Sequence, residues 1–499
     1  MYLSPLLFIA LPLAAAFFTV LLGVRLRVLG YILASVSAIT LLLASLYASY
    51  FVQHLPSHIF IYKVGGWMPP LGITLVFDAL STIMLVVVNL ISLMAGLYSL
   101  RYIERYTDSW KFYSLFLLMI AGLNGVIISG DLFNLYVFLE VASLSAYALV
   151  AFGTEAQDLE ASFKYAVMGA LASLLILLGI AFLYSYVSTL NMAEIAFVLS
   201  GKPQGLLVYF VIMLFLAGFG LKAAMVPFHA WLPDAHPSAP APISAMLSGV
   251  VIKTLGVYVL ARIIFNVFGM SQKALLVLMV LGTLSMVVGA LMAITQRDIK
   301  RMLAYSSISQ MGYILFALGI GTPLAVIGAL FHLINHAVAK SLLFFNSGAV
   351  EYSTHTRDMD SLGGLNKRMP VTAATSFIGS LSIAGLPPLA GFWSKLLIII
   401  AAVQAGHLAM ALVAVIVSII TLVYYLKFQN QTFFGALRGT LDKVKEAPLS
   451  MNIAAVILAL ICVGAGLLLV PSMRPILERA ADVLMLGSGY KDVVMGGVR

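Results

Sequence analysis

Charge is scarce in this sequence. Only 9% of its 499 residues are Asp, Glu, Lys or Arg, against 62% hydrophobic residues and a mean hydropathy of +1.07. A soluble globular domain carries about a quarter of its residues as charges, so that class is excluded. Cysteine is nearly missing. Cys462 stands alone in the last apolar run, which rules out an internal disulfide framework and a cysteine metal cluster within the chain; the residue reads as packing. Also absent are a Walker loop, a GxGxxG turn after a strand, a CxxC pair and a haem-type CxxCH. Connections between apolar runs stay under ~30 residues, far short of a domain. The chain therefore lacks a nucleotide-binding or redox domain, and energy for any transport must come from an ion gradient or a partner protein. The formal net charge of +9 suggests nucleic acid by its sum, but no nucleic-acid partner is expected from where the charges lie.

What is present is one apolar run after another, each near the roughly 20 residues that cross a bilayer. The runs are continuous rather than alternating, which excludes a β-barrel. The expected fold is an all-α polytopic membrane protein with about 14 transmembrane helices, at 4–24, 28–52, 73–99, 112–129, 132–152, 163–189, 206–227, 241–268, 273–294, 303–320, 323–350, 372–403, 407–427 and 452–471. The first run lacks a basic leader and a small-residue cleavage site, and reads as a retained span. The basic residues test this count. With the N-terminus outside, odd-numbered connections and their edges carry sixteen, from Arg25 and Arg27 to Lys443 and Lys445. Even-numbered connections carry three: Lys63, Lys202 and Lys273. That asymmetry obeys the positive-inside rule and puts both termini outside a cell (inner or cytoplasmic) membrane. The tail, with Arg474, Arg479, Lys491 and Arg499, is a mild exception.

Five cations fall inside spans: Lys222, Lys253, Arg262, Lys340 and Lys395. The acids there are Asp78 and Glu140, with Asp131 at an edge. A charge at a helix centre costs on the order of 3 kcal/mol on insertion scales. Arg262 is near enough to the outer face to snorkel; the lysines sit deeper. Glu140, in DLFNLYVFLEVASLSAYALV, lies mid-span. A carboxylate paired for structure is the bland reading, but intramembrane acids mark ion pathways by default.

Lys222 and Lys395 sit five spans apart, each in a span that contains proline: Pro227 in GLKAAMVPFHAW, and Pro387 and Pro388 in SIAGLPPLAGFWSKLL. These are either ordinary kinks or two broken helices at matched positions of two inverted five-helix repeats, spans 4–8 and 9–13. Broken helices in inverted repeats point to an ion site near the midplane. His332, His336 and Lys340 recur every four residues and so share one helix face. A zinc-binding pair or a bonded core histidine are the alternatives; a hydrated proton relay fits the polar stripe better. Burial disfavours a lysine's charge and a nearby carboxylate favours it, so a buried lysine among such partners can switch protonation with them. His229, Asp234 and His236 follow the seventh span; they either admit protons or pair within a proline-rich loop. Asp298, Lys300 and Arg301 are placed on a loop of the basic face, in a structural role.

Four segments carry a resemblance: GLKAAMVPFHAWLPDAHPSAPAPISAML, QRDIKRMLAYSSISQMGY, HLINHAVAKSLLFFNSGAV and GLPPLAGFWSKLL. Together they resemble the antiporter-like subunits of complex I, of Mrp-type sodium/proton antiporters and of membrane-bound hydrogenases, over nearly the whole chain from about Asp78. DLFNLYVFLE and the eighth-span lysine look most like the D-type member of Mrp antiporters and its hydrogenase relatives. The resemblance implies 14 helices with two inverted repeats, each holding a broken helix. It implies a switching ion pair of Glu140 and Lys222, a connection through Lys253, His332, His336 and Lys340, and an exit-side site at Lys395, where some members have glutamate. Asp78 and Asp131 match family positions near contacts between subunits or the span-five glutamate, and with His229, Asp234 and His236 they are candidates for proton entry or an interface.

The organisation expected is an N-terminal three-helix segment (1–111), a first repeat (112–268), a second (273–433), and a last helix with tail (434–499). The expected function is a proton-translocating subunit of a multisubunit membrane complex, with no cofactor in this chain and any iron–sulfur clusters or nickel–iron left to partners. Expected partners are further antiporter-like or small Mrp-type subunits, a peripheral redox arm and the lipid bilayer. A stand-alone secondary transporter for a small solute or cation is the alternative. The row of charges, rather than a pocket, argues against it.

Overall fold

Long helices apolar on every side fit a chain whose backbone donors and acceptors must be satisfied inside each segment, as lipid requires. The computed structural model describes residues 4–23, 27–55, 57–106, 108–202 and 205–498. Arg25, Arg499 and the side chain of Arg27 lie outside the described residues. Among those described, eleven helices are long and apolar enough to cross a membrane, and four shorter apolar helices accompany them. This is a polytopic, mostly helical membrane protein.

In chain order, α1 (Leu7–Gly23) and α2 (Arg27–His54) lead to an antiparallel hairpin, β1 (Ile59–Lys63) and β2 (Thr74–Asp78). Next come α3 (Ala79–Tyr102), α4 (Ser109–Ile128), α5 (Leu132–Val150), α6 (Ala156–Val187), α7 (Met192–Ser200), α8 (Leu206–Lys222) and α9 (Leu232–Ser238). The helix α10 (Ala241–Val267) is buried along its whole length. It widens into π-turns at Leu247–Val251, Lys253–Tyr258 and Ile263–Val267. The chain continues through α11 (Gln272–Ile294), α12 (Ile299–Ile320), α13 (Pro323–Thr354), α14 (Pro370–Ala384), α15 (Ala390–Gln404), α16 (Leu408–Gln429) and α17 (Leu449–Gly464). It ends in α18 (Arg474–Met485) and α19 (Tyr490–Val498).

Helices α10, α12 and α13 form the most enclosed layer, with α2, α6, α16 and α17 outside it. Close approach depends on glycine. A Cβ on Gly282 would stand 2.4 Å from the Phe316 amide nitrogen, and one on Gly312 2.4 Å from that of Met286. Helices α11 and α12 therefore meet backbone to backbone, as small residues permit in membranes.

The seventh apolar run stops as a helix at Lys222, and the twelfth is two helices, because the Pro227 and Pro387–Pro388 segments interrupt them; these are helix breaks rather than kinks. Two sequence expectations need correction. Lys300 and Arg301 stand in the first turn of α12, not on a loop: the Asp298 carboxylate accepts from the Arg301 amide at 2.9 Å and caps that helix. Arg262 does not snorkel. Its guanidinium bonds both Asp78 carboxylate oxygens at 2.6 Å, and Tyr490 of α19 donates to the same carboxylate at 3.0 Å. Asp78 is itself the N-cap of α3, accepting from the Ser81 amide at 2.8 Å. The tail packs over this pair, and Asn266 donates to the Val483 carbonyl at 2.7 Å.

Candidate functional site

The first helix break is built from α8, α5 and α6. Lys222 is the last residue of α8, buried, and donates to Ser143 at 2.9 Å and Tyr147 at 3.2 Å. Both acceptors lie on α5, three and seven residues beyond Glu140, on the face that the carboxylate shares. Glu140 is half-buried and accepts a short hydrogen bond from Ser173 of α6. The expected Glu140–Lys222 pair is thus not in direct contact here; each is held by hydroxyls of its own, Glu140 by Ser173 and Lys222 by Ser143 and Tyr147. The backbone groups freed by the break have partners. Trp231 donates to the Leu221 carbonyl at 3.1 Å, and Ser285 accepts from the Val226 amide at 3.0 Å. Trp231 stacks on Tyr165 at 4.1 Å, and Tyr165 meets Tyr147 edge-on at 4.5 Å, which clamps the break onto the Lys222 partners.

Lys253 sits in a π-turn, one turn before Gly256, which lies against the break: a Cβ there would be 2.6 Å from the Ala223 nitrogen. Lys253 is fully buried and donates a short bond to the Ser248 carbonyl. The Ser248 hydroxyl pairs with that of Ser307 at 2.7 Å. Ser307 donates to the Leu303 carbonyl at 2.9 Å, and Lys340 donates to the same carbonyl at 3.0 Å. Two lysines far apart in sequence are so joined through two serine hydroxyls and the carbonyls of Ser248 and Leu303. Lys340 also bonds Tyr425 at 3.0 Å.

Along α13, His336 has both ring nitrogens buried without a protein partner. Its ring centre is 6.4 Å from that of His332. His332 bonds Ser394 at 2.9 Å and Gln310 at 3.2 Å. An imidazole left unpaired in a dry interior costs about 1–3 kcal/mol, so His336 calls for a hydrogen-bond partner that the described residues do not supply. Ser394 adjoins Lys395 in α15. Lys395 reaches back across the second break to the Ala384 carbonyl, the end of α14, at 3.3 Å, and to Ser418 at 3.3 Å. It lies 5.0 Å over the Tyr313 ring.

The remaining candidates fall elsewhere. Asp78 is closed in its pair with Arg262. Asp131 caps α5, accepting from the Phe133 and Asn134 amides at 3.0 and 2.9 Å. Burial pushes its carboxyl up from the usual range, against the pull of those amides. Asp234 bridges Lys164 and Arg301, each at 3.0 Å, and so ties α6, α9 and α12. His229 has one buried nitrogen without a partner, and His236 has two.

The family profile described as "NADH:quinone oxidoreductase/Mrp antiporter, TM" matches residues 129–421. The chain belongs to this family. The matched stretch contains every residue of the row from Glu140 to Lys395. A second profile, "NADH-Ubiquinone oxidoreductase (complex I), chain 5 N-terminus", matches 67–113. Among relatives, the NADH-quinone oxidoreductase subunit N of Desulforudis audaxviator is 39% identical over 87% of each chain. The D-type component of the Na(+)/H(+) antiporter of Alkalihalophilus pseudofirmus is 34% identical over 82% of this chain and 83% of its own. Among solved structures, a chain of the Mrp complex from Dietzia sp. DQ12-45-1b superposes with a TM-score of 0.91 at 28% identity over all of both chains. A chain of the membrane-bound sulfane sulfur reductase, an archaeal respiratory membrane complex, gives 0.89 at 32% identity, covering 98% of this chain and 99% of its own. The protein is an antiporter-like membrane subunit.

Within this family member, sequence reading missed the polar partners that connect the lysines. Ser143 and Tyr147 were findable, since their helical spacing from Glu140 puts them on one face. Ser307, Gln310, Ser394 and Ser418 carry no such local signal.

Proposed function

We propose that this subunit moves protons across a cell membrane as part of a multisubunit complex, either an Mrp-type cation/proton antiporter or a respiratory complex of related build such as a membrane-bound hydrogenase. The single observation that carries this reading is the chain of buried titratable and hydroxyl groups running from Glu140, through two helix breaks, to Lys395. The reading takes α8 with α9, and α14 with α15, as one broken span each. That gives fourteen spans, with inverted repeats at 112–268 and 273–433 between the segments 1–111 and 434–499, and both termini outside.

Glu140 and Lys222 exchange charge through Ser143 and Tyr147 when the carboxylate swings from Ser173. Lys253, Lys340, His336 and His332 pass the change along the middle. Lys395 takes or releases the proton at the far break. Asp131, Asp234, His229 and His236 serve proton intake or subunit contact, and Asp78 holds the face beneath the tail. No cofactor binds this chain; partner subunits, including a peripheral redox arm where there is one, supply iron–sulfur or nickel–iron chemistry. Lysine and histidine, rather than clustered oxygens, favour protons over sodium in this subunit.

The test is proton uptake by membrane vesicles that hold the assembled complex. Glu140→Gln is expected to assemble normally and to lower uptake on the order of a hundredfold. Uptake near the normal rate in an assembled variant refutes the switch.

A further inference from the structure

One end of α13 holds a charged pair, Glu351 partly buried and Lys300 buried, that the row above does not use. Glu351 lies eleven residues past Lys340, about 16 Å along the helix at 1.5 Å per residue. Eleven residues is close to three turns, so Glu351 falls on the face that carries His336 and Lys340. Its carboxylate accepts from Lys300 at 3.0 Å, from Tyr102 at 3.2 Å and from Arg357 at 3.4 Å. The two partners differ in access. The Lys300 side chain is 2% exposed and that of Glu351 23%, so of the two only Glu351 has part of its side chain at the surface. Lys300 also donates to the Ala239 carbonyl, just past α9, at 3.1 Å. Arg357 in turn bonds Asp298 at 3.1 Å.

Between this pair and Lys340 lie polar atoms with no hydrogen-bond partner among the described residues: the Ser347 hydroxyl and both ring nitrogens of His236, all buried. The His236 ring stacks on Phe344 of α13 at 4.5 Å. It is near enough to Lys340, Lys300 and Lys253 to feel all three charges. A clamp fastening α12 to α13 accounts for the ion pair. It does not account for these three unsatisfied atoms, which native interiors rarely leave dry.

We infer that Glu351, seated on Lys300, is a proton-intake group that supplies Lys340 by way of Ser347 and His236. The inference rests on the proton-translocation reading. Glu351 takes a proton from water at the face formed by the loops around Asp298 and Arg357, becoming a neutral acid. It gives that proton to the imidazole of His236, or to water held by Ser347. The proton ends on the neutral amine of Lys340, and the Glu351 carboxylate returns to Lys300. The second half of the molecule thereby has a supply that does not pass through Glu140.

The test uses the assembled complex in vesicles with that face outward. Glu351→Gln keeps the shape and removes the acid. The double variant Lys300→Met with Glu351→Gln avoids leaving a buried ammonium unpaired. Both are expected to assemble and to take up protons about tenfold more slowly near neutral pH. The deficit is expected to shrink as the outer pH falls, because delivery straight from the medium rises with proton concentration. Glu351→Asp, which keeps a carboxyl, is expected to restore uptake. Normal uptake in the double variant, a deficit independent of pH, or failure of the double variant to assemble overturns the inference. Glu140→Gln in the same vesicles separates the two claims: if it too transports normally, the translocation reading has failed, and if it alone loses transport, only the role of Glu351 falls.

Discussion

The two helix breaks hold their lysines in opposite ways. Lys222 ends the half-helix before its break and reaches sideways to hydroxyls of α5, the helix that carries Glu140. Lys395 follows its break and reaches back to the carbonyl end of α14. A helix C-terminus carries partial negative charge, which acts on Lys395 through the Ala384 carbonyl and on Lys222 as the last residue of α8. Lys222 has, besides this fixed dipole, a nearby acid whose own charge can change. A titrating neighbour makes a switch; a dipole makes a resting place whose occupancy follows from what arrives. The first break is therefore suited to starting a charge movement, and the second to receiving it.

The largest effects come from removing the lysines. Lys222→Ala and Lys395→Ala are each expected to lower proton transport on the order of a hundredfold, with assembly intact. In the first, Glu140 keeps its bond from Ser173; in the second, Ser418 still donates to the Ala384 carbonyl at 3.1 Å. The variants should differ in what survives. Partner redox turnover is expected to persist in part in Lys395→Ala, where initiation is intact, and to fall further in Lys222→Ala. Equal losses of turnover would erase the distinction between starter and receiver. Failure of Lys395→Ala to assemble would make that residue structural.

Smaller effects sharpen the same contrast. Ser143→Ala removes a hydroxyl that holds Lys222 on the helix of Glu140, and a hydrogen bond of about 1 kcal/mol corresponds to a fivefold slower transport rate. Ser418→Ala removes a hydroxyl that only steadies Lys395 and its carbonyl, and is expected to change the rate less than twofold. A reversed order in single-turnover proton uptake would mean that the second break, not the first, holds the switch.

Much of this is open to view in the amino acids. Apolar runs reveal a polytopic, mostly helical membrane protein, since lipid leaves so few alternatives for a backbone. The buried lysines announce themselves because a charge in an apolar run needs a reason. Pro227 and Pro387–Pro388 mark both breaks, and residue order puts Lys222 before one and Lys395 after the other. What the order does not give is where α8 and α14 stop, at Lys222 and Ala384. Arg262 is hard to place from sequence because its partner Asp78 is 184 residues away, as is Lys300, whose partner Glu351 belongs to another helix. The π-turns of α10 and the fold of the tail over Asp78 arise from packing that no local pattern records.

The central claim is that Glu140 and Lys395 belong to one connected row. It is tested most directly by a double-variant cycle on proton flux in the assembled complex, with Glu140→Gln, Lys395→Ala and both together. Groups that act as a unit are non-additive. The account predicts that the double variant transports no more slowly than the worse of the two single variants. Losses that multiply would show two independent routes and contradict it.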